Sequence, residues 1–103
     1  MVPALSSLRA SITVMFYVYV LKSGKTRFLY VGVTSDLKRR LLAHNSERAS
    51  REFTERNKPW KLVYYEAYLN GQDAHEREAA LKNYGAGLGH LRKRLKRSLE
   101  SAG

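Results

Sequence analysis

Cysteine is absent from this 103-residue chain. That excludes disulfides, thiolate zinc sites and cysteine nucleophiles, and it suits a cytoplasmic protein. No apolar run is long enough to span a bilayer, so no membrane partner is expected. The segment before Met15 has one arginine and no long apolar block ahead of a small-residue cleavage site, so it does not read as a secretory leader. Acidic residues are scarce, 9 against 19 Lys and Arg, which leaves a net charge of +10. Such an excess on a short chain favours a polyanionic partner. Nucleic acid stands ahead of membrane because no strong basic amphipathic anchor is visible. A basic protein without such a partner is the plain alternative. What is present, 44% apolar residues and 11% aromatics, belongs to a folded globule with one modest core.

Residues 1–14 have no clear period and read as an N-terminal extension, either upstream of a native start at Met15 or a loose arm. A single domain is expected over 15–103. "MFYVYVLKS", 15–23, and "RFLYVGV", 27–33, are rich in β-branched and aromatic residues and form a hairpin around "SGKT". "TSD" supplies helix N-caps, and a helix runs from about Leu37 to His44 or slightly beyond. "NSERASREFTERNKP" reads as a polar connection ended by Pro59, and "WKLVYYEAY", 60–68, as the third strand. Asn70-Gly71 breaks the chain before a second helix from about Asp73 to Tyr84. "GAGLG" breaks it again, and "HLRKRLKRSLE" closes it with a basic helix whose Leu91, Leu95 and Leu99 repeat every four residues. The expected fold is α+β: a small three-stranded sheet, mixed or antiparallel, flanked by helices in the order β-β-α-β-α-α. No internal repeat is visible.

Some residues stand on the wrong face. At about 100° per residue, Leu37 and Leu41 of the first helix share a stripe that must meet the sheet. His44 falls about 20° to one side of Leu37, and Arg40 about 60° away on that side. Lys38 and Arg39 point elsewhere, at home in water. In the second helix Ala74, Glu78 and Leu81 follow a core-facing spacing, with Glu78 in its middle. A carboxylate on a packed face is costly unless it is paired or holds a cation. Strand alternation puts Tyr17 and Tyr19 on one face. Tyr30 shares its face with Phe28 and Gly32, and Gly32 leaves room there for a ligand or backbone to approach.

Each has a structural explanation too. Tyrosines in strands fill cores with a wet hydroxyl. Arg40 and Glu78 make sense as an ion pair between helices, and His44 as a helix-end residue bonded to a carbonyl. His75 and His90 stand among polar residues and read as solvated. The last helix's "RKRLKR", with Arg92 and Lys93, is a solvated face and, with Lys38 and Arg39, a candidate phosphate contact.

These residues together resemble the GIY-YIG endonuclease superfamily, and most closely its small stand-alone bacterial members. "YVY", 17–19, stands for its first tyrosine motif and "YVG", 30–32, for its second, with ten residues between Tyr19 and Tyr30. "GVTSDLKRRLLAH" fits the helix that carries the family's arginine, at Arg40, and a histidine one turn later, at His44. "EREAALK" places the family's metal-holding glutamate at Glu78. "PWKLVYYEAY" resembles the third strand of the small members, and the match covers about residues 15–97. Tyr17 replaces a glycine of the first motif, and valines replace isoleucines. A late asparagine and a separate DNA-binding region, both found in larger members, have no counterpart here, which bears on sequence specificity more than on chemistry.

The resemblance implies hydrolysis of a phosphodiester in nucleic acid, with DNA expected, and one divalent metal. Magnesium is the expected ion, with manganese as its substitute, since an oxygen-ligated ion suits one carboxylate plus water and phosphate. Glu78 would hold it. Arg40 would supply planar donors to the crowded phosphorus centre. Tyr19 or Tyr30 would orient or deprotonate the attacking water, with His44 beside them. A phenol of ordinary pKa about 10 is a poor base unless neighbouring cations lower it. The rival reading is a catalytically inactive basic module that stacks bases on the tyrosines and grips phosphate with Arg40. Glu78 separates the two, because a pure binder of polyanions gains nothing from a carboxylate on that face. A third reading, a basic protein that associates with ribosomes or remodels RNA, rests on charge alone.

Overall fold

In a computed structural model of the chain, residues 14–46, 52–82 and 86–102 are described. The extension expected over 1–14 lies outside them except for Val14. Three strands, β1 (Phe16–Ser23), β2 (Leu29–Thr34) and β3 (Trp60–Tyr68), form one antiparallel sheet in the order β2-β1-β3. Around it run α1 (Leu37–Asn45), α2 (Glu52–Asn57), α3 (Gly71–Lys82), α4 (Ala86–Arg94) and α5 (Lys96–Ala102). The α+β class and the sheet are as expected from the sequence, and the strand pairing is antiparallel throughout.

β1 is the central strand, and its alternation divides the interior in two. Val18 and Val20 are fully buried with Val31, Ala74, Leu81, Leu91 and Leu95, under α3 and α4. Tyr19 and Leu21 point to the opposite face. There, with Trp60, they form a smaller cluster against Tyr30, Leu37, Leu41 and Leu62. The second face is therefore covered by α1, the helix that carries Arg40 and His44. Each fully buried leucine or valine contributes about 1.5–3 kcal/mol. The larger cluster also draws in Leu88 and Leu99, and the smaller one lies on the face that α1 covers. Between Val20 and Leu21 the pairing with β3 shifts by one residue, so Val20 faces Tyr64 while Leu21 faces Leu62.

Two stretches read as irregular are helical. The polar connection after α1 contains α2, whose buried positions are Thr54 and Asn57. Thr54 O accepts from Trp60 Nε1 at 3.0 Å, and Asn57 O accepts from the Ser23 hydroxyl. A helix fastened by polar groups leaves no apolar period to detect. "GAGLG" is likewise no break from Ala86 onward. A Cβ on Gly87 would come within 2.9 Å of Ala80 O. The glycine lets α4 lie against the backbone of α3, and packing overrides poor helix propensity. The Leu91–Leu95–Leu99 repeat continues through Leu95 by hydrogen bonds of 2.9 and 2.8 Å, so α4 and α5 follow almost without interruption. α3 begins two residues before its expected start, at Gly71, with Asn70 Oδ1 accepting from Gln72 N.

A half-buried network between β3 and α3 escaped the sequence reading. Arg77 donates from Nε and Nη2 to the Glu66 carboxylate at 3.0–3.1 Å, and the Tyr64 and Tyr68 hydroxyls donate to it as well. Burial pushes the Glu66 carboxyl up, but the hydrogen bonds from Arg77, Tyr68 and Tyr64 outweigh it and hold the group below its ordinary value. A depressed carboxyl contributes stability above the unfolded-state pKa and loses it as pH falls through the folded value. Glu66→Gln should therefore cost about 1.5–3 kcal/mol at neutral pH. It should also flatten the acid side of the melting-temperature profile, below the ordinary carboxylate range. Melts of both proteins between acid and neutral pH check this, and parallel profiles would refute it.

Candidate active site

α1 opens where Asp36 Oδ1 accepts from Arg39 N at 3.0 Å and Thr34 Oγ1 accepts from Asp36 N. It closes where the Asn45 side chain clasps Trp60, donating from Nδ2 to Trp60 O at 2.9 Å and accepting from Trp60 N. Both ends of α1 are thus tied to the sheet, which fixes the side chains between them. Sequence reasoning missed Asn45. Its only signal was an amide one residue after His44.

Tyr19, Tyr30 and His44 meet on this face. Tyr19 Oη and His44 Nε2 share a hydrogen bond of 2.9 Å, and His44 is 8% exposed. The partner of Nε2 is thus a phenol rather than a helix-end carbonyl. Tyr30 stacks on Tyr19 with ring centres 6.2 Å apart and meets the His44 ring edge-on at 4.5 Å. Trp60 closes the far side of Tyr30 at 6.1 Å. From α3, Lys82 Nζ stands 5.8 Å from the centre of the Tyr30 ring and 3.0 Å from Glu78 Oε2. His75 Nδ1 lies 3.8 Å from the other Glu78 oxygen. Burial pushes the Tyr19 phenol well above its ordinary pKa; Tyr30 adds to this, Arg40 pulls the other way, and Glu78 pushes up again. Arg40 and Glu78 thus both act on the same buried phenol. Among the described residues no ion pair joins them directly, so the interhelical Arg40–Glu78 pair is not formed.

The room read beside Tyr30 at Gly32 is taken. Gly32 lies directly across from Tyr19 in the sheet, and a Cβ there would run into Tyr19 Oη and Cζ. The glycine makes space for the tyrosine of the neighbouring strand, not for a ligand. Because that ring is buried and bonded to His44, it has nowhere to retreat. Gly32→Ala should destabilise by about 1–3 kcal/mol through overpacking. It should also disturb the Tyr19–His44 bond, visible as a moved His44 resonance in an NMR titration. An unshifted resonance with unchanged stability would contradict it.

Arg40 is exposed and lines a cavity of about 370 Å³ with Thr34, Ser35, Asp36, Arg39 and Ala43. Arg39 was read as pointing away from the apolar stripe, yet its long side chain reaches the same cavity. Lys38 is exposed on α1 and does not line it. Arg92 and Lys93 are exposed on α4, whose leucines pack under the opposite face of the sheet, so the structure does not bring them to this site. His75 is 69% exposed at its side chain, and His90 is exposed.

Among the described residues no three His, Cys, Asp or Glu side chains cluster as a metal cage. Near Tyr30, α3 offers one carboxylate, Glu78, with Lys82 Nζ at 3.0 Å from one of its oxygens and His75 Nδ1 at 3.8 Å from the other. A hard ion that keeps several waters and takes one carboxylate plus substrate phosphate fits that donor; an ion that needs several protein ligands does not.

This is a small α+β domain whose sheet carries two stacked tyrosines and a buried histidine on the face covered by α1, with an exposed arginine on that helix. The GIY-YIG catalytic domain model matches residues 15–86, and the chain belongs to that family of nucleases, whose substrate is nucleic acid and which generally use a divalent metal. It is similar to a UPF0213 protein of Clostridium perfringens, 41% identical over 68 residues, 66% of this chain and 71% of that one. A UPF0213 protein of Streptococcus agalactiae is 41% identical over 71 residues, 69% of this chain and 78% of that one. One from Bacillus pumilus is 35% identical over 68 residues, 66% and 67%. No solved structure matches. Among the described residues, no helix is long and apolar enough to cross a membrane.

Proposed function

We propose that this protein is a metal-dependent endonuclease that hydrolyses phosphodiester bonds in DNA. The observation that carries the reading is the meeting of Tyr19, Tyr30 and His44 on one face, with Arg40 on the helix that covers it and the Glu78–Lys82 pair of α3 beside the Tyr30 ring. Arg40, exposed at the cavity mouth, receives the scissile phosphate and stabilises the charge that accumulates on its oxygens. Tyr19 is 2% exposed and its phenol is pushed up by burial, so it keeps its proton and acts as a fixed hydrogen-bonding group locked by His44. Tyr30 is the more open of the two and is the tyrosine that meets the attacking water. Lys82, 5.8 Å from the centre of the Tyr30 ring, adds positive charge beside it. Glu78 would hold a divalent ion, magnesium or manganese, which supplies charge to the phosphate and to the leaving 3′-oxygen. Lys38 and Arg39 contact neighbouring phosphates. The roles of Arg92 and Lys93 are restricted to a second strand or a distant segment, given their place on α4.

The test is a panel of labelled branched, nicked, single-stranded and duplex substrates incubated with the protein and magnesium or manganese. Cleavage of at least one, abolished by EDTA, is expected. Binding without cleavage in any divalent ion would overturn the reading and put the inactive binding module in its place.

A further inference from the structure

The sheet face that carries Tyr19 is only partly covered. α1 packs Leu37 and Leu41 over Tyr19, Leu21, Trp60 and Tyr30. One step along the sheet, Tyr19 is paired with Tyr65 of β3, and Tyr17 with Thr34 of β2. Directly paired residues share a face, so Tyr17 and Tyr65 lie on the side of the candidate site. Their rings stand edge to face, centres 5.7 Å apart and planes at 76°. Neither belongs to a hydrophobic cluster, and Tyr65 is 51% exposed. Thr34, across from Tyr17, lines the same cavity as Arg39 and Arg40.

A lone exposed apolar residue needs no explanation. Here one ring is braced by another, two guanidinium groups border the adjoining cavity, and the chain carries a net charge of +10. Open aromatic faces beside a positively charged track are how single strands are held. A base inside a duplex has both faces covered by its neighbours, so only an unpaired base can lie on such a ring. Tyr17 is also the residue that departs from the family's first motif, where a glycine would leave Tyr65 without its brace.

We propose that Tyr65, braced by Tyr17, is a stacking platform for one unpaired base of the strand whose phosphate meets Arg40. The position of that phosphate rests on the nuclease reading; the stacking does not. The platform makes the preferred substrate one with a single-stranded or unpaired nucleotide beside the cut.

The experiment measures binding of a short single-stranded deoxyoligonucleotide and of its duplex to the full chain in EDTA, by fluorescence anisotropy. Tyr65→Ala should weaken single-strand binding by about 5- to 150-fold, the loss of one aromatic–base stack, and leave duplex binding unchanged. Tyr65→Phe keeps the ring and should bind like the wild type, while Tyr65→Leu should not. An abasic scan along the oligonucleotide should find one position where removing the base weakens wild-type binding and leaves Tyr65→Ala indifferent. That scan keeps the test valid even if a variant folds poorly. The platform is overturned if the scan is flat, if Tyr65→Leu binds like the wild type, or if Tyr65→Ala leaves single-strand affinity intact. Sedimentation covers the remaining case: a wild-type dimer that Tyr65→Ala dissociates, with DNA affinity unmoved, assigns the face to a second copy and overturns the platform. Stacking without cleavage in the substrate panel would overturn the nuclease reading alone, and cleavage without stacking the platform alone.

Discussion

Glu78→Ala should cut nothing, yet bind DNA in EDTA at least as tightly as the wild type. The carboxylate stands 3.0 Å from Lys82 Nζ, which itself lies beside the Tyr30 ring, and removing it removes repulsion for phosphate. It also frees Lys82, now 3.0 Å from Glu78, to meet the anion itself. Arg40→Ala should behave differently. The rate should fall by about 10²–10³, the usual cost of losing a donor that stabilises transition-state charge, with slightly weaker binding. A buried Arg40–Glu78 pair would instead make both variants unstable. Arg40 is exposed, and Glu78 pairs with Lys82 on its own helix, an interaction worth about 0.3–0.5 kcal/mol. Both variants should therefore melt close to the wild type. Cleavage assays, gel-shift titrations and melts on the two variants check this. A Glu78→Ala protein that cuts normally would remove Glu78 from the chemistry.

The largest loss of stability is expected at Trp60. Its side chain is 3% exposed, packs with Tyr19 and Leu21, and donates from Nε1 to Thr54 O. Its backbone is held by the Asn45 side chain. One residue thus joins α1, α2 and β3 under the tyrosines. Trp60→Ala should cost about 3–5 kcal/mol, which lowers the melting temperature by more than about 10 °C in a domain of this size. Trp60→Phe keeps most of the packing but loses the hydrogen bond to Thr54 O, for about 0.5–1.5 kcal/mol. Because this is the chain's only tryptophan, far-UV circular dichroism rather than fluorescence should follow the unfolding. A Trp60→Ala protein as stable as the wild type would show that the small cluster is not structural.

The parts of the fold legible in the sequence are those written in apolar period. "WKLVYYEAY" is β3 to the residue, and Asp36 is the N-cap of α1. Helical spacing put Ala74 and Leu81 in the core, where they are, and set Glu78 in the middle of that stripe, where it is partly exposed; it put Arg40 and His44 beside the apolar face of α1, and of these His44 is buried and Arg40 exposed. α2 was illegible because it is anchored through Thr54 and Asn57. The Glu66 network was nearly legible: Tyr64, Glu66 and Tyr68 sit two apart on one strand, and Arg77 precedes Glu78. The register between paired strands was not legible. Gly32 looked like vacant space because the ring that fills it comes from β1, across the hairpin.

The one-residue shift in pairing beside Val63 works as a change of parity in β3. Before it, the even-numbered Trp60 and Leu62 belong with Tyr19 and Leu21; after it, the even-numbered Tyr64, Glu66 and Tyr68 lie across from Val20, Val18 and Phe16. A strand of unbroken alternation would have carried Glu66 round to the face of Tyr19 and turned Tyr65 to the face of Val18 and Val20. Val63 is thus a phase element: it lets one strand offer tryptophan to the floor of the site at one end, and at the other keep its acid hidden while its tyrosine stays outside.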